Sequence, residues 1–313
     1  MKRRILVLSF GVSLLLSGCG DIVNAAQALI STATLPPPTA TATSTLTPTM
    51  TVTLTPTFTP TPIWVLQGPG AVVVPILLYH HVAIPPTKSR TYYVPPENFE
   101  AQMKLLRDWG YTSIPISLLA QAITEGAELP PRPIVITFDD GNMDIYTNAF
   151  PVMQNYGFIG VTYIVSNRLQ ADGYVAAGQI QEMAAAGWEV GSHSRSHIDL
   201  SKSPDRLRIE IVDSREDLEA ALGVPVLTFA YPFGKMGGGD MDYVRFAGYT
   251  SAVGLGSTND QGKGNLFYLQ RRPINGNYDL KTFTLFLPWL GDPAFLPTET
   301  PMPTPTASRT PRP

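Results

Sequence analysis

The stretch Ile134-Val135-Ile136-Thr137-Phe138-Asp139-Asp140-Gly141 sets β-branched and aromatic residues directly against two carboxylates and a glycine. An apolar run of this length, closed by a turn signal, reads as a buried strand. The carboxylates at its end are costly if they stay buried without partners. As neighbours they also repel, so one of them tends to protonate. A divalent cation on one of the pair removes the conflict, and Gly141 permits the turn that aims both into one pocket. Three more polar clusters stand at the ends of apolar runs in the same way. Tyr79-His80-His81 ends the run 71–79. Ser192-His193-Ser194-Arg195-Ser196-His197 follows 188–191. Phe229-Ala230-Tyr231-Pro232-Phe233-Gly234 closes 226–230.

Further strands are expected at 159–165, 249–253 and 266–269. Helices fall between the strands. Phe99, Met103 and Leu106 mark one that stops at Gly110, a short one covers 152–156, and 179–186 is closed by Gly187. Ser203 and Pro204 read as N-cap and first residue of another, with Leu207, Ile211, Leu218 and Leu222 as its buried stripe and Gly223 as its stop. Strands alternating with helices predict a parallel sheet. About seven strands in about 225 residues predict an α/β fold, a distorted barrel, with an open doubly wound sheet as the alternative. In a parallel barrel every strand C-terminus opens onto one rim, so the four polar clusters are expected to meet there.

His193 and His197 are four residues apart, a spacing that on a helical turn puts both imidazoles on one face. Two histidines and a carboxylate form a ligand set for catalytic zinc with a position left open for water. Ser194, where a zinc peptidase motif has glutamate, disfavours that class.

Composition narrows the field. The chain has 313 residues, 44% hydrophobic and 15% charged, enough for a large core. Net charge is −3, and −6 without Lys2, Arg3 and Arg4, so no nucleic-acid partner is expected. The single cysteine excludes an intrachain disulfide.

The three motifs around Asp139-Asp140, His193/His197 and Phe229–Gly234 together resemble those of the polysaccharide deacetylases, carbohydrate esterase family 4. The likeness in order and spacing runs over residues 74–275. It implies a distorted barrel, Asp139 as general base, and a divalent metal, Zn2+ by default, on Asp140, His193 and His197. It also implies a backbone N–H of Phe233 for the oxyanion, because Pro232 has none. The chain departs from the family pattern at Ala230, where many members carry arginine, and in having no histidine after His197. In both respects it is similar to the biofilm-type poly-N-acetylglucosamine deacetylases, which take the acid histidine from an early Tyr-His segment. His80 is then the expected acid. Adjacent strand residues face opposite ways, so only one of His80 and His81 should enter the site. Arg272, expected just after the strand 266–269, is assigned to orient Asp139, with Arg271 as the neighbouring alternative.

The expected reaction is removal of N-acetyl groups from an N-acetylated, glucosamine-type polysaccharide, releasing acetate. An O-acetyl esterase on xylan-like glycans, a hydrolase of small cyclic amides and a non-catalytic glycan-binding protein are the alternatives. The ends of the chain bear on location. Lys2, Arg3 and Arg4 precede an apolar run over 5–16, too short to span a membrane, and the run ends in Leu16-Ser17-Gly18-Cys19. This resembles a bacterial lipobox, with Cys19 lipidated. The expected organisation is a signal peptide over 1–18, a tether over 19–66, the catalytic domain over 67–292 and a tail over 293–313. Residues 31–62 hold 14 threonines and seven prolines without a charge, and the tail repeats that chemistry, so both read as solvated low-complexity segments. A monomer anchored by lipid to a bacterial membrane, at the cell surface, is expected.

Overall fold

Seven parallel strands close on themselves around an interior plugged by one helix. The computed structural model describes residues 63–86 and 91–291. The expected signal peptide, Cys19, most of the tether and the tail lie outside the described residues.

The barrel strands are β1 (Ile76–Tyr79), β2 (Pro133–Phe138), β3 (Val161–Ile164), β4 (Glu189–Ser192), β5 (Thr228–Ala230), β6 (Ser251–Leu255) and β7 (Leu269–Pro273). Around the barrel the order is β1-β7-β6-β5-β4-β3-β2, and β1 pairs with β2 to close it. Every pairing is parallel. The barrel reading therefore holds over the open sheet.

Alternation along the strands sorts two cores. Ile76, Val135, Val161, Tyr163, Ala230, Val253 and Leu269 face inward. Leu77, Tyr79, Ile134, Ile136 and Phe138 face outward against the helices. Those helices include α1 (Pro96–Asp108), α3 (Phe150–Tyr156), α4 (Ala177–Ala185) and α5 (Ser214–Leu222). The helix α2 (Ile116–Thr124) joins the inward cluster through Ile116, Leu119, Ala122 and Ile123, and so plugs the barrel. Glu189 Oε2, at the start of β4, accepts the Ser117 N–H at the start of α2, at 2.8 Å, and ties plug to wall.

Three expectations shift. The run 71–79 divides into Val72–Val73 and β1, because Pro75 between them has no N–H for a ladder. The strand expected at 266–269 lies at Leu269–Pro273 instead. The strand Val65–Gln67, antiparallel to Ala127–Leu129, reaches two residues into the expected tether. No helix among the described residues is long and apolar enough to cross a membrane.

Candidate active site

The strand C-termini open into a cavity of about 510 Å³ lined by His80, His81, Tyr92, Tyr93, Asp139, Asp140, His193, His197, Phe233 and Arg271. The four clusters do meet on one rim.

Asp139 continues the inward series Val135, Thr137 beyond the end of β2. Its carboxylate is 2% exposed and accepts two hydrogen bonds from Arg271, Nη1 to Oδ1 at 2.6 Å and Nη2 to Oδ2 at 2.8 Å. Arg271 also donates from Nε to the Gly254 carbonyl at 3.1 Å and from Nη1 to Thr137 Oγ1 at 3.2 Å. The arginine assignment is thus corrected from Arg272 to Arg271. The cause is the strand's register. Both arginines lie inside β7, where Leu269 and Arg271 are buried inward while Arg272 points the other way and donates to the Ser257 carbonyl. Burial alone would push the Asp139 carboxyl up. The Arg271 charge, then that of His193 and the Arg271 hydrogen bonds, outweigh it and hold the group well below the usual carboxylate range.

His193 is 1% exposed. Its Nδ1–H donates to the Ala230 carbonyl at 2.8 Å, which fixes the tautomer and leaves the Nε2 lone pair facing the cavity. His193 Nε2 lies 3.5 Å from Asp139 Oδ2, and His197 Nε2 lies 3.3 Å from Asp140 Oδ1. The two rings do not share a helical turn, contrary to expectation. Residues 193–199 are irregular, with Ser194 at φ 64° and His197 at φ 58°. Ser194 Oγ accepts the His197 N–H at 2.9 Å and closes the loop locally. Asp140 turns at φ 74° and Gly141 at φ 76°, where a Cβ would also sit 3.0 Å from Ile164 Cδ1. One ligand atom each from Asp140, His193 and His197 lies within 4.8 Å of the others, the one such group among the described residues. Burial, then the neighbouring His193, pushes the His197 imidazole down to about 4, so its lone pair stays free. Two imidazoles and a carboxylate, with one ring nitrogen of His193 already engaged by the Ala230 carbonyl, fit a zinc-type cation.

His80 keeps the inward parity of Ile76 and packs its ring 4.7 Å from that of Tyr92. Burial lowers its pKa, against the pull of Asp139 and Asp140. His81 has the outward parity. Its Nδ1–H donates to Asp144 Oδ2 at 2.6 Å and its ring stacks on Tyr93 at 4.1 Å. Both histidines nevertheless border the cavity, since they lie past Tyr79, where strand alternation no longer separates the faces. Phe233 sits on the turn Pro232–Gly234 at φ 59°, half exposed, with its ring 4.7 Å from that of His197. Sequence reasoning did not find Tyr92, Tyr93 or Arg168, whose Nη1 lies 3.2 Å from Asp140 Oδ1. The adjacent tyrosines in a polar segment were a weak signal, and Arg168 had none.

Residues 126–252 match the family model described as polysaccharide deacetylase. Over that span the chain is similar to the polysaccharide deacetylases. The matched span contains Asp139, Asp140, His193, His197 and Phe233, starts after His80 and ends before Arg271. Among curated proteins, the chain is 27% identical over 181 residues to the Bacillus subtilis protein YxkH, whose name places it among polysaccharide deacetylases. That alignment covers 58% of this chain and 63% of YxkH. It is 23% identical over 197 residues to a poly-beta-1,6-N-acetyl-D-glucosamine N-deacetylase of Staphylococcus aureus, covering 58% of this chain and 68% of that one. Among solved structures, a polysaccharide deacetylase from Bacillus cereus superposes with a TM-score of 0.62 at 27% identity, covering 69% of each chain.

Proposed function

We propose that this polysaccharide deacetylase domain hydrolyses N-acetyl groups of an extracellular glucosamine-type polysaccharide, releasing acetate and leaving free amines. One observation carries the reading: a buried carboxylate, kept ionised by Arg271, stands beside an Asp–His–His group with the further imidazole of His80 in the same cavity. A hydrolase of amides needs a base, an electrophile and an acid, and each has a candidate here. The name of the Staphylococcus aureus relative supports the glycan class.

Asp140, His193 and His197 would hold a divalent cation, with zinc the default for this donor set. Such a cation would supply polarisation of an acetyl carbonyl and a lowered pKa for a nearby water. Asp139 takes the proton from the attacking water, and Arg271 keeps its carboxylate charged and in place. The Phe233 N–H stabilises the oxyanion. His80, protonated, gives its proton to the nitrogen as the C–N bond breaks, so a neutral amine leaves. The lipobox around Cys19 and the basic n-region favour a protein anchored by lipid at the outer face of a bacterial membrane, within reach of a surface polymer.

Acetate release from poly-N-acetylglucosamine, chitin oligomers, peptidoglycan and acetylxylan tests the assignment. Release from a glucosamine polymer is expected. Release from acetylxylan alone would turn the reading to an O-acetyl esterase, and glycan binding without any release would turn it to a binding protein.

A further inference from the structure

Glu210 is a fully buried carboxylate on the segment leading into α5, and it faces the loop between the two histidines. Its side chain accepts the Ser196 N–H at Oε2, 2.8 Å, and the Ser196 Oγ–H at Oε1, 2.5 Å. Its own carbonyl accepts the Arg195 N–H at 3.1 Å. Arg206 Nη2, at 3.1 Å from Oε1, supplies the counter-charge. Three hydrogen bonds from one residue therefore clamp Arg195 and Ser196, the two residues immediately before His197. We infer that Glu210 is a positioning residue for the His193/His197 pair, setting the affinity and geometry of the cation site without touching the cation.

The local backbone explains how an acidic residue comes to face inward there. Arg208–Asp213 forms a π-helical turn between the short 3-10 turn Pro204–Arg206 and α5. The wider turn buries Glu210, Ile211 and Val212 in succession, which a regular α-helix of this stripe would not do. An ionised carboxylate at zero exposure is expensive unless it is fully bonded. Here its bonds all go to the histidine loop or to Arg206. The loop, for its part, needs an external anchor. It has no helix to stiffen it, and His197 sits at φ 58°, a conformation that non-glycine residues hold only when the surroundings impose it. The Ser194–His197 bond closes the loop upon itself, the Ser194 and Arg195 carbonyls accept the Ser166 and Asn167 N–H groups at 3.2 and 3.0 Å, and Glu210 fixes Ser196, the residue next to His197, to the body of the domain.

The inference rests on the metal site proposed above. The experiment is a zinc titration of the full-length protein by chelator competition, together with the visible absorption of the cobalt(II)-loaded form, whose bands report ligand geometry. Glu210→Ala should weaken zinc affinity by about 10- to 100-fold, the range seen when groups behind metal ligands are removed, and should shift the cobalt bands. Glu210→Gln can still accept from the Ser196 N–H while its amide donates to Ser196 Oγ, so its loss should be smaller but measurable. It decides the matter if the alanine variant does not fold. Leu106→Ala, buried on α1, controls for general loss of stability and should leave affinity unchanged. Wild-type affinity in Glu210→Gln and unshifted bands in either variant would overturn the inference, as would an equal loss in Leu106→Ala. If the wild-type protein itself bound no zinc or cobalt, the metal site would fall, and this inference with it.

Discussion

Arg271 grips both carboxylate oxygens of Asp139, at 2.6 and 2.8 Å, from a strand two places away around the barrel. The pair is sealed, with Arg271 at zero exposure and Asp139 at 2%. Removing one member of such a pair leaves an uncompensated buried charge, which typically costs about 3–5 kcal/mol. Arg271→Met should lose that much in urea unfolding at pH 7, and Arg272→Met much less. The sign of the pH dependence follows from the depressed Asp139 pKa. The pair's contribution is present above the unfolded carboxylate value, about 4, and is lost as pH falls through the lower folded value. The gap between wild type and Arg271→Met should therefore be full at neutral pH and close only in strong acid. Equal losses in the two arginine variants would show that the pairing is not as described.

If Asp139 is the base, the same pair should set the acid limb of activity. Without Arg271, burial is left as the dominant influence on Asp139 and pushes its pKa up. Residual activity of Arg271→Met should fall off at a higher pH than that of wild type. An unmoved acid limb would mean that Asp139 is not the titrating base.

Asp139→Asn keeps the shape of the side chain but cannot take the proton. It should retain bound metal and lose about 100- to 10,000-fold in kcat/KM, the usual worth of a general base. His80→Ala should lose a similar factor and also the alkaline limb of the profile. In wild type that limb should lie below the ordinary imidazole value, because burial lowers the His80 pKa. His81→Ala removes a ring already engaged by Asp144 and Tyr93, and should lose far less. A dead His81→Ala beside an active His80→Ala would reverse the two roles.

His193→Ala, His197→Ala and Asp140→Ala each leave two of the three proposed ligands, too few to hold a cation well. Metal content of the purified variants, measured by elemental analysis, should fall in all three. Full occupancy in any of them would remove that residue from the ligand set.

Cys19→Ala tests the anchor. The variant should appear in the soluble fraction or remain unprocessed at its N-terminus. Processing and membrane association indistinguishable from wild type would end the lipoprotein reading.

Much of the site was legible because its residues follow apolar strands directly. The strand before Asp139 needs only β-branched alternation to be seen, and a parallel barrel then brings the strand ends together. What escaped has physical causes. Gln270-Arg271-Arg272-Pro273 is too polar to look like a strand, so β7 was placed three residues early and the inward arginine was misassigned. An arginine inside a barrel is stable only because Asp139 waits for it, and that partner lies 132 residues away in sequence. The His193–His197 spacing suggested a helical turn, but two left-handed residues bring the rings together instead. Glu210 stood on what periodicity marks as a solvent face, and the π-helical turn that rotates it inward leaves no trace in the pattern. The plug α2 is apolar on nearly every side, which a stripe-based reading passes over.

Metal-dependent N-deacetylation yields two products that can be counted on one sample. Acetate and primary amine are measured together on poly-β-1,6-N-acetylglucosamine, before metal removal, after it, and after zinc is restored. Equal amounts of the two products are expected, lost on chelation and recovered with zinc. Acetate without amine, or undiminished release from fully metal-free protein, would contradict metal-dependent N-deacetylation.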